Sequence, residues 1–170
     1  GGTQIPAGLN VIQKITVASI GNAVDYGDIT AGVRASGAGV SNTTRAILAG
    51  GNLGSPATNI IEYFSMTQSG NSVDFGDLSA AEEGMDGCVN SSTRGLLYGI
   101  GSYGANTIEF ITMSTTGNSS DFGDLTVGVG GAAGGGNSTR GVIGGGLSPS
   151  PTASRVNVIQ FVTIATTGNA

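Results

Sequence analysis

Four eight-residue blocks of mixed apolar and polar character punctuate the chain: NVIQKITV (Asn10 to Val17), NIIEYFSM (Asn59 to Met66), NTIEFITM (Asn106 to Met113) and NVIQFVTI (Asn157 to Ile164). In the second block the even positions read Ile60, Glu62, Phe64 and Met66, and the odd positions Asn59, Ile61, Tyr63 and Ser65. Neighbouring residues of an extended chain point to opposite faces, so both faces here carry apolar side chains. The blocks are rich in β-branched and aromatic residues, and no segment combines a helical apolar period with helix caps. They predict strands. A small sheet that is apolar on both sides is not stable alone in water and needs a further sheet against each face.

The blocks belong to a repeat. Asp28, Asp77 and Asp124 lie 49 and 47 residues apart, and Arg45, Arg94 and Arg140 lie 49 and 46 apart. The period is about 48 residues, a length typical of repeat architectures. One repeat domain therefore covers 1–170, with units at approximately 1–30 (partial), 31–79, 80–126 and 127–170 (partial). Four strands are predicted in each. The first surrounds SSTR (Ser91 to Arg94), and the second is AILAGG (Ala46 to Gly51) or GVIGGG (Gly141 to Gly146). The third is the eight-residue block, and the fourth is DFGDLT (Asp121 to Thr126) and its counterparts. Four strands per unit and this period predict an all-β β-propeller or propeller segment, against a stacked β-solenoid or fibre as the competing architecture. A closed propeller has about four to eight blades. Self-association, or further repeats of a longer chain, is therefore expected.

Composition narrows the function classes. The 32 glycines follow no Gly-X-Y period, which excludes collagen, and they suit a protein with many tight turns. A net charge of −5 argues against a nucleic-acid footprint, which needs a basic stripe. With no His, imidazole catalysis and imidazole metal sites are excluded. Cys88 is alone, so no intrachain disulfide is expected, and it reads as a small buried thiol. No apolar run approaches the roughly 20 residues of a membrane helix. The opening GGTQIPAGLN lacks the form of a signal peptide.

The candidate chemistry is repeated too. The carboxylate pairs Asp25/Asp28, Asp74/Asp77 and Asp121/Asp124 raise the options of a calcium loop or a glycosidase pair. Two carboxylates per copy are few for calcium, and catalytic pairs are normally single and asymmetric. The pairs are therefore read as turn residues, with Asp accepting backbone N–H bonds and Gly76 or Gly123 at positive φ, and no catalytic, cofactor or metal site is assigned. Arg45, Arg94 and Arg140 are expected to pair with these aspartates of their own or an adjacent unit, rather than to grip an anionic sugar. The position of Gln13, Glu62, Glu109 and Gln160 offers a second partner. Sequons at Asn42, Asn90 and Asn137 are read as sharing one repeat position and are candidate glycosylation sites, with a further sequon at Asn118. Binding is sought in the segments that differ between copies: Asn52 to Thr58, Ala80 to Gly87, Gly101 to Asn106 and Leu147 to Val156.

Certain of these residues resemble known families. The double glycine ending an apolar strand (Leu48 to Gly51, Ile143 to Gly146) resembles the kelch repeat of β-propellers, although the chain has no Trp. SVDFGDLS (Ser72 to Ser79) and SSDFGDLT (Ser119 to Thr126) are similar to the Asp-box turn, without its closing Thr-Trp. Taken whole, Asn10 to Ala170 resembles tandem arrays in virion proteins of marine and aquatic tailed phages, described as tail fibre or structural proteins. That resemblance implies an extracellular, particle-borne structural or adhesion role, and the like-for-like repetition of the candidate residues, with no asymmetric catalytic set, leads to the expectation of a non-enzymatic module. Host-surface glycans, bound through the variable segments, are the expected partners, while the acidic balance and the lack of a long apolar run leave no nucleic-acid or membrane partner expected. The alternatives are a propeller-type carbohydrate-active hydrolase and a glycosylated extracellular filament subunit.

Overall fold

The computed structural model describes residues 10–32, 35–52, 56–82, 85, 87–101, 104–149 and 154–170. All of its regular structure is strand, arranged as four small antiparallel sheets in chain order. The first sheet pairs β1 (Val11–Lys14) with β2 (Val24–Asp28). The second is a meander of β3 (Ala38–Ser41), β4 (Arg45–Ala49), β5 (Thr58–Ser65) and β6 (Val73–Glu82). The third repeats it with β7 (Cys88–Asn90), β8 (Arg94–Tyr98), β9 (Thr107–Thr112) and β10 (Ser120–Asp124). The fourth holds β11 (Ala133–Gly136), β12 (Arg140–Gly144) and β13 (Ile159–Thr163). The second sheet extends past the expected unit boundary at residue 79, because β6 runs on to Glu82, which faces Thr58. No described helix is long and apolar enough to cross a membrane.

One strand assignment shifts. The Ser/Thr-rich text before each arginine is not a strand but the turn between the first two strands, and the arginine opens the second strand. The reason is local hydrogen bonding. Asn42 Oδ1 accepts from the N–H groups of Thr44 and Arg45, both at 2.9 Å, and Asn137 Oδ1 does the same for Thr139 and Arg140. Ser91 Oγ serves the third unit. Such side chains satisfy a turn in place of a ladder.

The core lies between sheets. One cluster joins Ile47, Ile61 and Phe75 of the second sheet to Leu97, Ile111 and Met113 of the third. The other joins Leu96, Ile108 and Phe122 of the third to Ile143, Val162 and Ile164 of the fourth. The adjacent residues Leu96 and Leu97 are both fully buried, one in each cluster. The third sheet is thus buried on both faces, as its sequence pattern requires. Sheets approach closely where the second strands pass. A Cβ at Gly95 would stand 2.8 Å from Val40 Cγ2, and one at Gly141 would overlap Val89. Glycine at these two positions lets the sheets touch.

Candidate functional site

The recurrent residues of the sequence converge on the seams between units. In each fourth strand one residue is extra to the ladder. Gly76 faces Ile61 and Asp74 faces Glu62, which leaves Phe75 unmatched. Tyr26 and Phe122 are skipped in the same way. The Asp-aromatic-Gly stretch is therefore a β-bulge inside the strand, and not the turn before it that the Asp-box similarity implied. The bulge turns its aromatic ring inward, so that Tyr26, Phe75 and Phe122 are all buried. The following Gly27, Gly76 and Gly123 take φ of 153°, 147° and 142°. They also have no room for a side chain, because a Cβ at Gly123 would come 2.7 Å from the Gly168 carbonyl of the next unit.

That close approach is a latch. A Gly-Asn segment of the second, third and fourth units runs along the outer edge of the preceding unit's fourth strand. Gly70 N–H donates to the Tyr26 carbonyl and Ser72 N–H to the Asp28 carbonyl, both at 2.8 Å. Gly117 and Ser119 repeat this on Phe75 and Asp77, and Gly168 and Ala170 on Phe122 and Asp124. The N–H groups left over on that edge find a side chain instead. Those of Asp28, Asp77 and Asp124 donate to the Oδ1 atoms of Asn71, Asn118 and Asn169 at 3.1, 3.0 and 3.0 Å. The aspartates thus act through their main chain. Among the described residues none of their six carboxylates accepts a backbone N–H, contrary to the expectation of an Asp-accepting turn.

A second contact crosses each seam from the third strand. Glu62, buried, accepts hydrogen bonds from Thr30 Oγ1 (2.7 Å), Ala31 N–H (2.9 Å) and Ser72 Oγ (2.8 Å). Buried Glu109 is held likewise by the hydroxyls of Ser79 and Ser119 and by Ser79 N–H. Gln160 takes the equivalent place in the fourth unit. Its Oε1 accepts from Thr126 Oγ1 (2.6 Å) and Val127 N–H (2.9 Å), while its Nε2 donates to the Val127 carbonyl (2.9 Å). A buried carboxylate held by several donors is compatible with a dry seam. Gln13, at the same position of the first unit, is exposed.

The arginines form the third contact. Arg45, Arg94 and Arg140 lie over the rings of Tyr63, Phe110 and Phe161 of their own units, at 4.5, 4.5 and 4.6 Å from the centroids. Arg45 also donates to the Met113 carbonyl at 3.1 Å, and Arg94 to those of Ile164 and Ala165 at 3.2 and 3.0 Å. Each of these two reaches the following unit. The expected Arg–Asp pairs are absent among the described residues: each planar guanidinium stacks on a ring, and those of Arg45 and Arg94 spend N–H groups on carbonyls.

The sequons do not all occupy one repeat position. Asn42 and Asn137 sit three residues before their arginines, and Asn90 sits four before Arg94, so the three do not share one position. Nδ2 of Asn42 donates to the Ser92 carbonyl, and Nδ2 of Asn90 to the Ser41 and Ser91 carbonyls. The variable segments fall partly outside the described residues. Burial pushes the Cys88 thiol above its ordinary value of 9.0. Among the described residues no group of three or more His, Cys, Asp or Glu is placed to hold a metal ion. No protein-family model matches the chain, and no curated protein matches it either.

Proposed function

We propose that the chain is a non-enzymatic structural and adhesion module of a virion or extracellular fibre, its sheets arranged as propeller blades and its variable loops binding surface glycans. One observation carries the reading: the recurrent polar residues are spent on holding unit to unit. The fourth-strand bulges, the Gly-Asn latch, the buried Glu or Gln and two of the arginines contact an adjacent unit, and they do so in register from one seam to the next. A catalytic centre is asymmetric, with groups whose environments differ; these contacts repeat. Binding then belongs to the segments that escape the repeat, 52–58, 101–106 and 147–156.

A glycan array probed with the intact chain, followed by a search for released sugar, tests this. Retention of one glycan class without product supports the module. Release of product would replace it with a propeller-type hydrolase.

A further inference from the structure

The chain breaks its own repeat at one buried position. Val33 and Val129 stand five residues after Asp28 and Asp124, and Glu82 stands five after Asp77. Val129 is 2 % exposed and Glu82 4 %, so a carboxylate fills a place where the third sheet has a buried aliphatic side chain. Glu82 also ends a longer strand, since β6 runs on past Asp77 whereas β10 stops at Asp124. A buried carboxylate is costly unless N–H or O–H groups are turned toward it.

Glu82 contacts two of the loops that join second strand to third. Its main chain holds the loop of its own sheet, with its carbonyl accepting from Gly51 N–H at 2.8 Å and the residue itself facing Thr58 across the ladder. Its Oε2 accepts from Gly101 N–H at 3.0 Å, in the corresponding loop of the third sheet. Asn52, Gly101 and Leu147 are equivalent, each three residues past the end of the second strand of its sheet. Asn52 and Leu147 donate to the Ala35 and Gly130 carbonyls at 3.0 and 2.8 Å, in the segments that enter their own sheets. Among the described residues, Gly101 is the one of the three whose N–H crosses to the preceding sheet. Further along, the same loop rests on the fourth sheet, where a Cβ on Gly104 would stand 3.0 Å from Pro149 Cα.

We infer that Glu82 is a positioning residue for binding: it fastens the third sheet's loop to the second sheet's, so that the two variable loops present one surface, fitted to a glycan chain that touches both rather than to a single sugar. The inference rests on the variable-loop reading and specifies the length of its ligand. Loops tied only to their own sheets, as Asn52 and Leu147 are, keep no fixed spacing from one another. Loops joined through one residue do, and a chain already held at one of them meets the other at high effective concentration. A carboxylate suits the task because a charged acceptor makes the stronger hydrogen bond.

Two variants separate the roles. Glu82→Val gives the position the residue that Val129 supplies in the third sheet, and Glu82→Gln keeps an oxygen acceptor. Exchange of the Gly101 amide should be about tenfold faster in Glu82→Val than in the parent and close to the parent in Glu82→Gln. Binding is read on a printed array of cell-surface oligosaccharides, each accompanied by its single terminal sugar. The parent and Glu82→Gln should retain the longer chain about tenfold better than the single sugar, and Glu82→Val should lose that preference. If Glu82→Val lowers the melting temperature, Ile164→Val, a core change at the opposite end of the sheets, serves as a control of matched stability and should keep both the Gly101 protection and the preference. Equal Gly101 exchange in the parent and Glu82→Val, a preference that survives in Glu82→Val, or a Glu82→Gln chain that behaves like Glu82→Val would overturn the inference. A parent that retains single sugars as well as longer chains overturns it too and leaves the variable-loop reading standing, whereas a parent that retains no sugar at all overturns both.

Discussion

At Gly123 two demands meet, a φ of 142° and a neighbouring backbone so close that a Cβ would stand 2.7 Å from the Gly168 carbonyl. Backbone cannot step aside as a flexible side chain can. Gly123→Ala should therefore destabilise the fold by about 1–3 kcal/mol, the range for overpacking. Gly21→Ala meets nothing within 4 Å and should change stability by less than about 0.5 kcal/mol. Urea midpoints of the two variants check the contrast, and equal shifts would refute the latch geometry. Cys88 gives a pH signature. Its thiol is raised by burial, so the folded state holds the proton more tightly than the unfolded chain does. The resulting stability is complete below the ordinary value of 9.0 and is lost as pH rises through the folded value. Relative to Cys88→Ala, the parent chain should lose stability as pH climbs above that value, which urea titrations along an alkaline series would measure.

Among the strands and their connections, the seam contacts are specific to their residue types. Arg94 stacks on Phe110 and donates to two carbonyls of the next unit. Arg94→Ala should cost about 1–2 kcal/mol, from the lost stack and hydrogen bonds, and a double-mutant cycle with Phe110→Leu should show coupling between the pair. Complete additivity would mean that the stack contributes nothing. The buried Glu or Gln is more exacting. Where the Gly-Asn segment continues with Ser72 or Ser119, the third strand carries Glu62 or Glu109; where it continues with Ala23 or Ala170, the strand carries Gln13 or Gln160. A carboxylate only accepts, and the serine hydroxyl is one of its donors. An amide brings its own donor and needs no serine, as Gln160 shows on Val127. Gln160→Glu would set a carboxylate oxygen against the Val127 carbonyl and should cost about 1–3 kcal/mol, with recovery in Gln160→Glu plus Ala170→Ser. Thermal melts of the single and double variants decide it. This Glu–Ser and Gln–Ala pairing was visible in the sequence, but its meaning was not, because the partners lie ten residues apart and meet only when the chain turns back from the third strand to the fourth. The strands and their two apolar faces were legible from alternation. The arginine partners were not, since charge alone pointed to aspartate while the nearest ring lay on an adjacent strand of the same sheet.

For the whole molecule, two core clusters in series carry stability from sheet to sheet, with the third sheet common to both. Such a chain behaves as a row of coupled neighbours, in which damage at one seam need not reach the next. Leu96 is fully buried in the cluster shared with the fourth sheet, while Leu97 is fully buried in the cluster shared with the second. Truncating either to alanine should cost about 2–5 kcal/mol, yet the two losses fall on different seams. In native-state hydrogen exchange, Leu96→Ala should speed exchange first in β11, β12 and β13, whose contacts it weakens. Leu97→Ala should speed exchange first between β3–β6 and β7–β10 and leave the β12–β13 pairing protected relative to its neighbours. Uniform acceleration throughout the chain in both variants would show a single all-or-none unit instead. In that event the seams would be parts of one continuous core, and the picture of sheets held pairwise by latch, buried carboxylate and stacked arginine would lose its energetic basis.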